Sequence, residues 1–182
     1  YDDDLGVIGS LNNLKPQMQE LADLNQKYNI KGCYQNHAGT RIGATIWDLY
    51  WLLNDIDPDY LGLQYDIKHA TAEGGRSWEV DLKLVAPMIH TIVLKDFKWM
   101  QRDDGSWRDA PVPLGTGMVN FDRYFKMLKS LQIEAPISLH LEYPLPHQLK
   151  DLSLDKKKER EAQMIRNDVK VAKTLLAKQG LI

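Results

Sequence analysis

The stretch IHTIVLKDFKW, residues 89–99, decides the fold. Its first half, Ile89 to Leu94, is β-branched and apolar, the composition of a buried strand. It then meets Lys95 and Asp96, followed by Phe97 and Trp99. A buried strand ending in a cation, an anion and two aromatics needs a reason. Ionisable groups are costly to bury unless they are paired or used.

Outward from this strand, helical and strand-like segments alternate. LKPQMQELADLNQKY places Leu14, Met18, Leu21 and Leu24 at helical spacing, with Pro16 fitting only near a helix start. NIKGCYQN reads as a short strand. IGATIWDLYWLLNDI is helical through Ile42, Ile46, Leu49 and Leu53, and Pro58 follows its end. DYLGLQYD is the next strand. SWEVDLKLVAP reads as a helix with Ser77 as N-cap and Pro87 as stop. After the central strand a long Gly- and Pro-containing loop covers about Phe97 to Asn120. FDRYFKMLKSL is a helix, APISLHLEYP a strand, and LDKKKEREAQMIRNDVKVAKTLLAKQG a long final helix. That helix sets Ile165, Val169, Ala172 and Leu176 in register, with Gly180 as its stop.

Strict alternation predicts an α/β fold with parallel strands and right-handed crossovers. Four strands are legible, whereas a (β/α)8 barrel needs eight and typically about 250 residues. Two architectures remain: a small open sheet, or the C-terminal half of a TIM barrel, about four βα units. No repeat, linker or second domain interrupts residues 1–182, which read as one domain.

The composition is that of a globular chain, 43% hydrophobic and 26% charged over 182 residues. A net charge of −2 gives no basic face, so neither nucleic acid nor an anionic membrane is an expected partner. No apolar run approaches the roughly 18 residues of a membrane span. Cys33 is the single cysteine, which rules out an internal disulfide and a cysteine-rich metal site. The chain starts at Tyr1 without Met or a signal-like segment and reads as the middle of a longer protein. A soluble chain, cytoplasmic or periplasmic, is expected.

In parallel α/β folds reactive groups gather at the C-terminal ends of strands. Here the first strand ends in Gln35, Asn36 and His37, and the second in Gln64, Tyr65 and Asp66, with Lys68 and His69 beyond. The third ends in Lys95 and Asp96, and the fourth carries His140 and Glu142. Alternation along a strand sends His140 and Glu142 the same way, and likewise Gln35 and His37. The predicted cluster is Gln35, His37, Asp66, His69, Lys95, His140 and Glu142. Its chemistry suits a divalent cation held by carboxylate and imidazole, with positions open to substrate oxygens.

Each residue also has a plainer reading. His37 caps the following helix as readily as it binds. His90 reads as a hydrogen-bonded structural residue, and His147 as a solvent-facing loop residue. Trp47 and Trp51, at i and i+4, are expected to pack a helix against the sheet. Trp99 and Trp107 either stack on a sugar ring or pack their loop down. The glycines of VPLGTGMVNF, residues 112–121, lack the lysine of a P-loop and read as a tight turn before a helix.

The runs YQNHAG, GLQYDIKHA, IVLKDF, VPLGTGMVNF and SLHLEYP, in this order, resemble the C-terminal half of the xylose-isomerase-like TIM barrels. These are sugar and sugar-phosphate isomerases and epimerases, in a superfamily that also holds endonuclease-IV-type DNA repair enzymes. The resemblance covers the chain from about Leu14 to its end. It implies a divalent metal, Mn or Mg, held by Glu, Asp, His and Glu. By position these fall on Gln35, Asp66, Val93 and Glu142. The Asp-x-x-His pattern is present as Asp66 and His69, the His contacting substrate oxygens. Gln35 keeps a carbonyl oxygen; Val93 has no donor.

Three outcomes are open: a site rebuilt with Asp66, Glu142 and His140 as ligands, a sugar site without metal, or a silent one. The leading expectation is an isomerase or epimerase acting by proton transfer next to a carbonyl. In it Glu142, Asp66 and Lys95 perform the chemistry, while His69, His37, Gln35 and Trp99 bind a small carbohydrate. The alternatives are a non-catalytic carbohydrate-binding barrel and, more remotely, an endonuclease-IV-like DNA repair enzyme.

Overall fold

The structure, a computed structural model, describes residues 1–144 and 152–182; His147 lies outside them. The elements are α1 (Gly6–Tyr28), β1 (Gly32–Gln35), α2 (Ile46–Leu53), β2 (Leu61–Asp66), α3 (Ile67–Gly74) and α4 (Trp78–Val85). There follow β3 (Ile89–Leu94), β4 (Asp96–Gln101), β5 (Trp107–Val112), α5 (Phe121–Ser130), β6 (Ile137–Leu139) and α6 (Leu154–Lys178). One sheet has the order β1-β2-β3-β6, and β4 with β5 forms a separate two-stranded sheet. β1 is parallel to β2 and β2 to β3, as the helix–strand alternation demands. Two compact units are distinguished, residues 1–93 with 130–138, and residues 94–129 with 139–182.

The first unit is built on β2, a strand whose residues are buried on both faces except at Gln64. Leu61, Leu63 and Tyr65 of β2 are buried, as are Leu49, Leu52 and Leu53 of α2, Leu82 of α4 and Ile92 of β3. α2 starts where Thr45 accepts a hydrogen bond from the Asp48 amide (3.2 Å) and donates its hydroxyl to the Asp48 carboxylate (3.1 Å). Trp78 is buried at the start of α4. His90 is structural, its Nε2 bonded to the Pro58 carbonyl.

That ring lies over Gly62. A Cβ there would come within 2.2 Å of the His90 ring and 2.4 Å of the Met88 carbonyl. Gly62→Ala is therefore expected to destabilise by about 2 kcal/mol through overpacking. A urea midpoint unchanged from wild type would show that the β2–β3 ladder yields more easily than its contacts suggest.

Three expectations are corrected in this unit. α1 begins at Gly6, well before Leu14, and carries Pro16 inside it. Its buried residues are Ser10, Leu11 and Ala22, while Leu21 and Leu24 face outward. Trp47 and Trp51 do not pack on the sheet: both are exposed, and the Trp51 indole N–H donates to Asn12 on α1 (2.9 Å).

The second unit contains a hairpin where the sequence suggested a loop. β4 and β5 pair antiparallel, with Trp99 opposite Asp109 and Gln101 opposite Trp107. Their connection closes by Arg102 N–H to Ser106 carbonyl (2.7 Å), with Gly105 at φ +83°. Phe121, Tyr124, Phe125 and Leu128 of α5 and Ala172 and Leu176 of α6 are buried. Lys178 pairs with Asp122 (2.7 Å) near the end of α6, where Gly180 takes φ +65°.

Asp168 on α6 is buried and accepts from the Tyr143 hydroxyl and the Leu114 amide. Burial pushes its carboxyl above the ordinary carboxylate value. A carboxyl raised on folding holds more protons folded than unfolded, so its contribution is present at low pH and is lost as pH rises through the raised value. Asp168→Asn should therefore flatten the fall in stability as pH rises from one value below the ordinary aspartate range to one above it. Urea melts at the two pH values check it, and an unchanged slope would assign the dependence elsewhere.

Candidate functional site

The strand-end residues form two groups, one in each unit. In the first, Asp66 ends β2 and begins α3. Its Oδ1 accepts from the amides of Lys68 (3.1 Å) and His69 (3.3 Å), which makes it the N-cap of α3. Its Oδ2 accepts from Gln35 Nε2 (3.0 Å) and lies 3.6 Å from His69 Nε2. Asn36 grips the same residue by its backbone: its Nδ2 donates to the Asp66 carbonyl (3.0 Å) and its Oδ1 accepts the Asp66 amide (2.8 Å). His69 is buried, and the exposed His37 lies against it with ring centroids 4.0 Å apart. Lys68 Nζ is 3.4 Å from His69 Nδ1. Val93 is fully buried beside Asp66 in the β2–β3 register.

Gln35, His37, Asp66 and His69 are thus brought together as predicted, by a different route. β1 ends at Gln35, so alternation does not place His37; its ring contact with His69 does. His37 caps no helix, since Thr45 caps α2. Asn36 and Lys68, both buried, belong to the group; the sequence places them at the strand ends but they are not among the seven residues of the predicted cluster. An asparagine just past a strand end, whose side-chain amide can pair like a backbone peptide group, was the available signal for the first.

In the second unit, Lys95 Nζ donates to Glu142 Oε1 at 2.8 Å. The Lys95 side chain is 3% exposed and that of Glu142 is 45% exposed, so a buried ammonium meets a half-open carboxylate. β6 stops at Leu139, so strand alternation does not align His140 with Glu142. His140 is held by its amide, which donates to the Leu94 carbonyl (3.2 Å).

Asp96 does not face a substrate. Its carboxylate accepts four backbone amides: Phe97 (2.9 Å) and Val119 (3.1 Å) on Oδ1, Gly115 (3.0 Å) and Gly117 (2.8 Å) on Oδ2. A Cβ on Gly117 would lie 2.2 Å from Asp96 Oδ1. The amides that a phosphate cradle would need are therefore spent on the chain's own aspartate, and the tight-turn reading of VPLGTGMVNF holds.

The donors present do not assemble the ligand set that the resemblance implies. Gln35 must turn its NH₂ toward the Asp66 carboxylate, since two oxygens would repel, so its carbonyl points elsewhere. Val93 offers nothing. The charge of Glu142 is already met by Lys95. Among the described residues no three His, Cys, Asp or Glu side chains converge as a metal group. No helix among them is long and apolar enough to cross a membrane.

Parallel strands joined by helices, with ionisable side chains at their C-terminal ends, define part of a TIM barrel of the α/β class. The xylose isomerase-like TIM barrel model matches residues 2–171, and the chain belongs to that family. A curated relative, an uncharacterised protein of Methanocaldococcus jannaschii, is 25% identical over 131 residues, 71% of this chain and 43% of its own. A xylose isomerase domain protein from Planctomyces limnophilus superposes with a TM-score of 0.68 at 17% identity, over 94% of this chain and 55% of that one. A zinc-bound IolI protein does so with a TM-score of 0.68 at 20% identity, over 96% and 57%. Sugar 3-epimerases are also among the neighbours; one from Methylomonas sp. holding D-allulose has a TM-score of 0.57 at 18% identity, over 82% and 55%. The chain spans about half the length of these proteins.

Proposed function

We propose that the chain forms part of a carbohydrate isomerase or epimerase that moves a proton next to a sugar carbonyl. The observation that carries this reading is the Lys95–Glu142 pair, a buried cation fixed at 2.8 Å from a carboxylate half open to solvent. Glu142 takes the proton from the carbon beside the carbonyl. The electron pair moves onto the carbonyl oxygen, and the Lys95 ammonium stabilises the enediolate so formed. Returning the proton to the neighbouring carbon, while the hydroxyl proton passes from the second enediolate oxygen to the first, completes an aldose–ketose isomerisation with one carboxylate. Epimerisation asks for a second acid–base group on the other face of the sugar, and Gln35 cannot be one. Isomerisation is therefore the better-supported chemistry. Within the first unit, Asp66 and Gln35 hold His69 in place.

The test is turnover of D-fructose, D-allulose and D-tagatose by the full-length protein, with and without Mn²⁺. Glu142→Gln is expected to lower turnover by about 10²–10⁴-fold. Turnover left intact by both Glu142→Gln and Asp66→Asn would remove the assignment.

A second reading, a carbohydrate-binding barrel without catalysis, is favoured by the amide that Gln35 gives to Asp66 and by Val93 beside it. Elemental analysis of the full-length protein separates the two. A stoichiometric metal ion speaks for the enzyme, and its absence together with sugar binding but no turnover speaks for the binder. A DNA repair activity finds no multi-metal cluster of histidines and carboxylates among the described residues.

A further inference from the structure

The β4–β5 hairpin grows directly from Lys95, and its register sorts its side chains by face. Residues directly opposite in an antiparallel pair share a face, so Phe97, Trp99, Gln101, Trp107, Asp109 and Pro111 lie on one side. At the root this face is closed: Phe97 is buried, and Trp99 packs edge-on against it at 5.9 Å. Beyond the root it is open, with Trp99 43% and Trp107 59% exposed. The two indoles are diagonal neighbours across the ladder, a relation that puts their Cβ atoms about 7 Å apart. Gln101 and Asp109 stand between them on the same face.

Two exposed indole planes alternating with an amide and a carboxylate do not make a dry protein-docking patch. The arrangement offers stacking surface for the C–H face of a sugar ring and polar groups for its hydroxyls. Its reach is also informative. Trp99 lies four residues beyond Lys95, about 13 Å at the rise of a strand, and Trp107 sits opposite the still more distant Gln101. That is more than the width of one pyranose ring held at Lys95.

We propose that the Trp99–Trp107 face is a second sugar subsite, and that the substrate is a glycoside or oligosaccharide of at least two rings. This rests on the carbohydrate reading of the Lys95–Glu142 pair.

The experiment is calorimetric titration of the full-length protein with D-glucose, D-fructose, maltose, cellobiose and sucrose. At least one disaccharide is expected to bind about tenfold tighter than either of its component sugars. In the Trp99→Ala/Trp107→Ala variant that advantage should shrink to below about threefold, and Trp107→Ala alone should shrink it with monosaccharide affinity unchanged. Both side chains are exposed, so the variant should fold, and its melting curve verifies this. The proposal is overturned if no disaccharide gains over its components, or if the variant keeps the gain. It is equally overturned if light scattering shows that the variant changes the assembly of the protein and not its affinities. Lys95→Met separates the two ideas: it should weaken binding of every sugar by a similar factor and leave the disaccharide gain in place. If that variant binds monosaccharides as tightly as wild type while the tryptophan variant loses the disaccharide gain, the Lys95–Glu142 reading fails and the hairpin subsite stands. If no sugar binds the wild type, both fail.

Discussion

Asp96→Ala lowers stability by about 4 kcal/mol, roughly a 12 °C fall in melting temperature for a chain of this size. The carboxylate accepts four amides, and they are not equivalent. The Phe97 and Val119 bonds are buried, so losing the acceptor leaves two donors without water, at about 2 kcal/mol each. The Gly115 and Gly117 amides are part-buried and can recruit water, so they add little. Asp96→Asn is the informative partner, because its single oxygen satisfies one pair of amides while its NH₂ confronts the other. It should fall between alanine and wild type. Thermal melts of the three proteins decide; an alanine variant melting within about 2 °C of wild type would mean that the 113–119 segment is held by other contacts.

Lys95→Met is expected to reduce sugar turnover by about 10²–10³-fold while changing the melting temperature little. Methionine fills the lysine's buried stem, and Glu142, being half open, regains solvation when its partner goes. The sharper measurement is the cycle with Glu142→Gln. If the two groups act on one transition state, the double variant is no slower than the worse single one, because groups that work as a unit are not additive. Losses that multiply would show that the two groups act independently in turnover.

Much of the architecture was legible because β1, β2 and β3 announce themselves by short β-branched or apolar runs broken by polar residues, and helices fill the gaps. The hairpin was not. β5 reads WRDAPV, with a proline, an arginine and an aspartate that depress strand signal, and its partner begins one residue after β3. α2 shows why periodicity stops short of orientation. Ile46, Leu49 and Leu53 mark one apolar face, Trp47 and Trp51 mark another, and spacing does not say which is inward. At the site, the group Gln35–Asp66–His69 followed from strand ends alone. The role of Asp96 did not, because three of its four partners are backbone amides about twenty residues away, and backbone amides leave no trace in a sequence. The Gly-x-Gly spacing of Gly115 and Gly117 was the faint signal of a backbone drawn in close.

Asp66 holds the first turn of α3 with one oxygen and meets Gln35 and His69 with the other. A ligand that pulls on this carboxylate must loosen the amides of Lys68 and His69, and one that only touches His69 leaves them as they are. Occupancy is thereby transcribed into the hydrogen-exchange rates of two peptide groups. Those two amides are a built-in reporter of which atoms of the site a ligand has engaged, readable before any substrate is known to turn over.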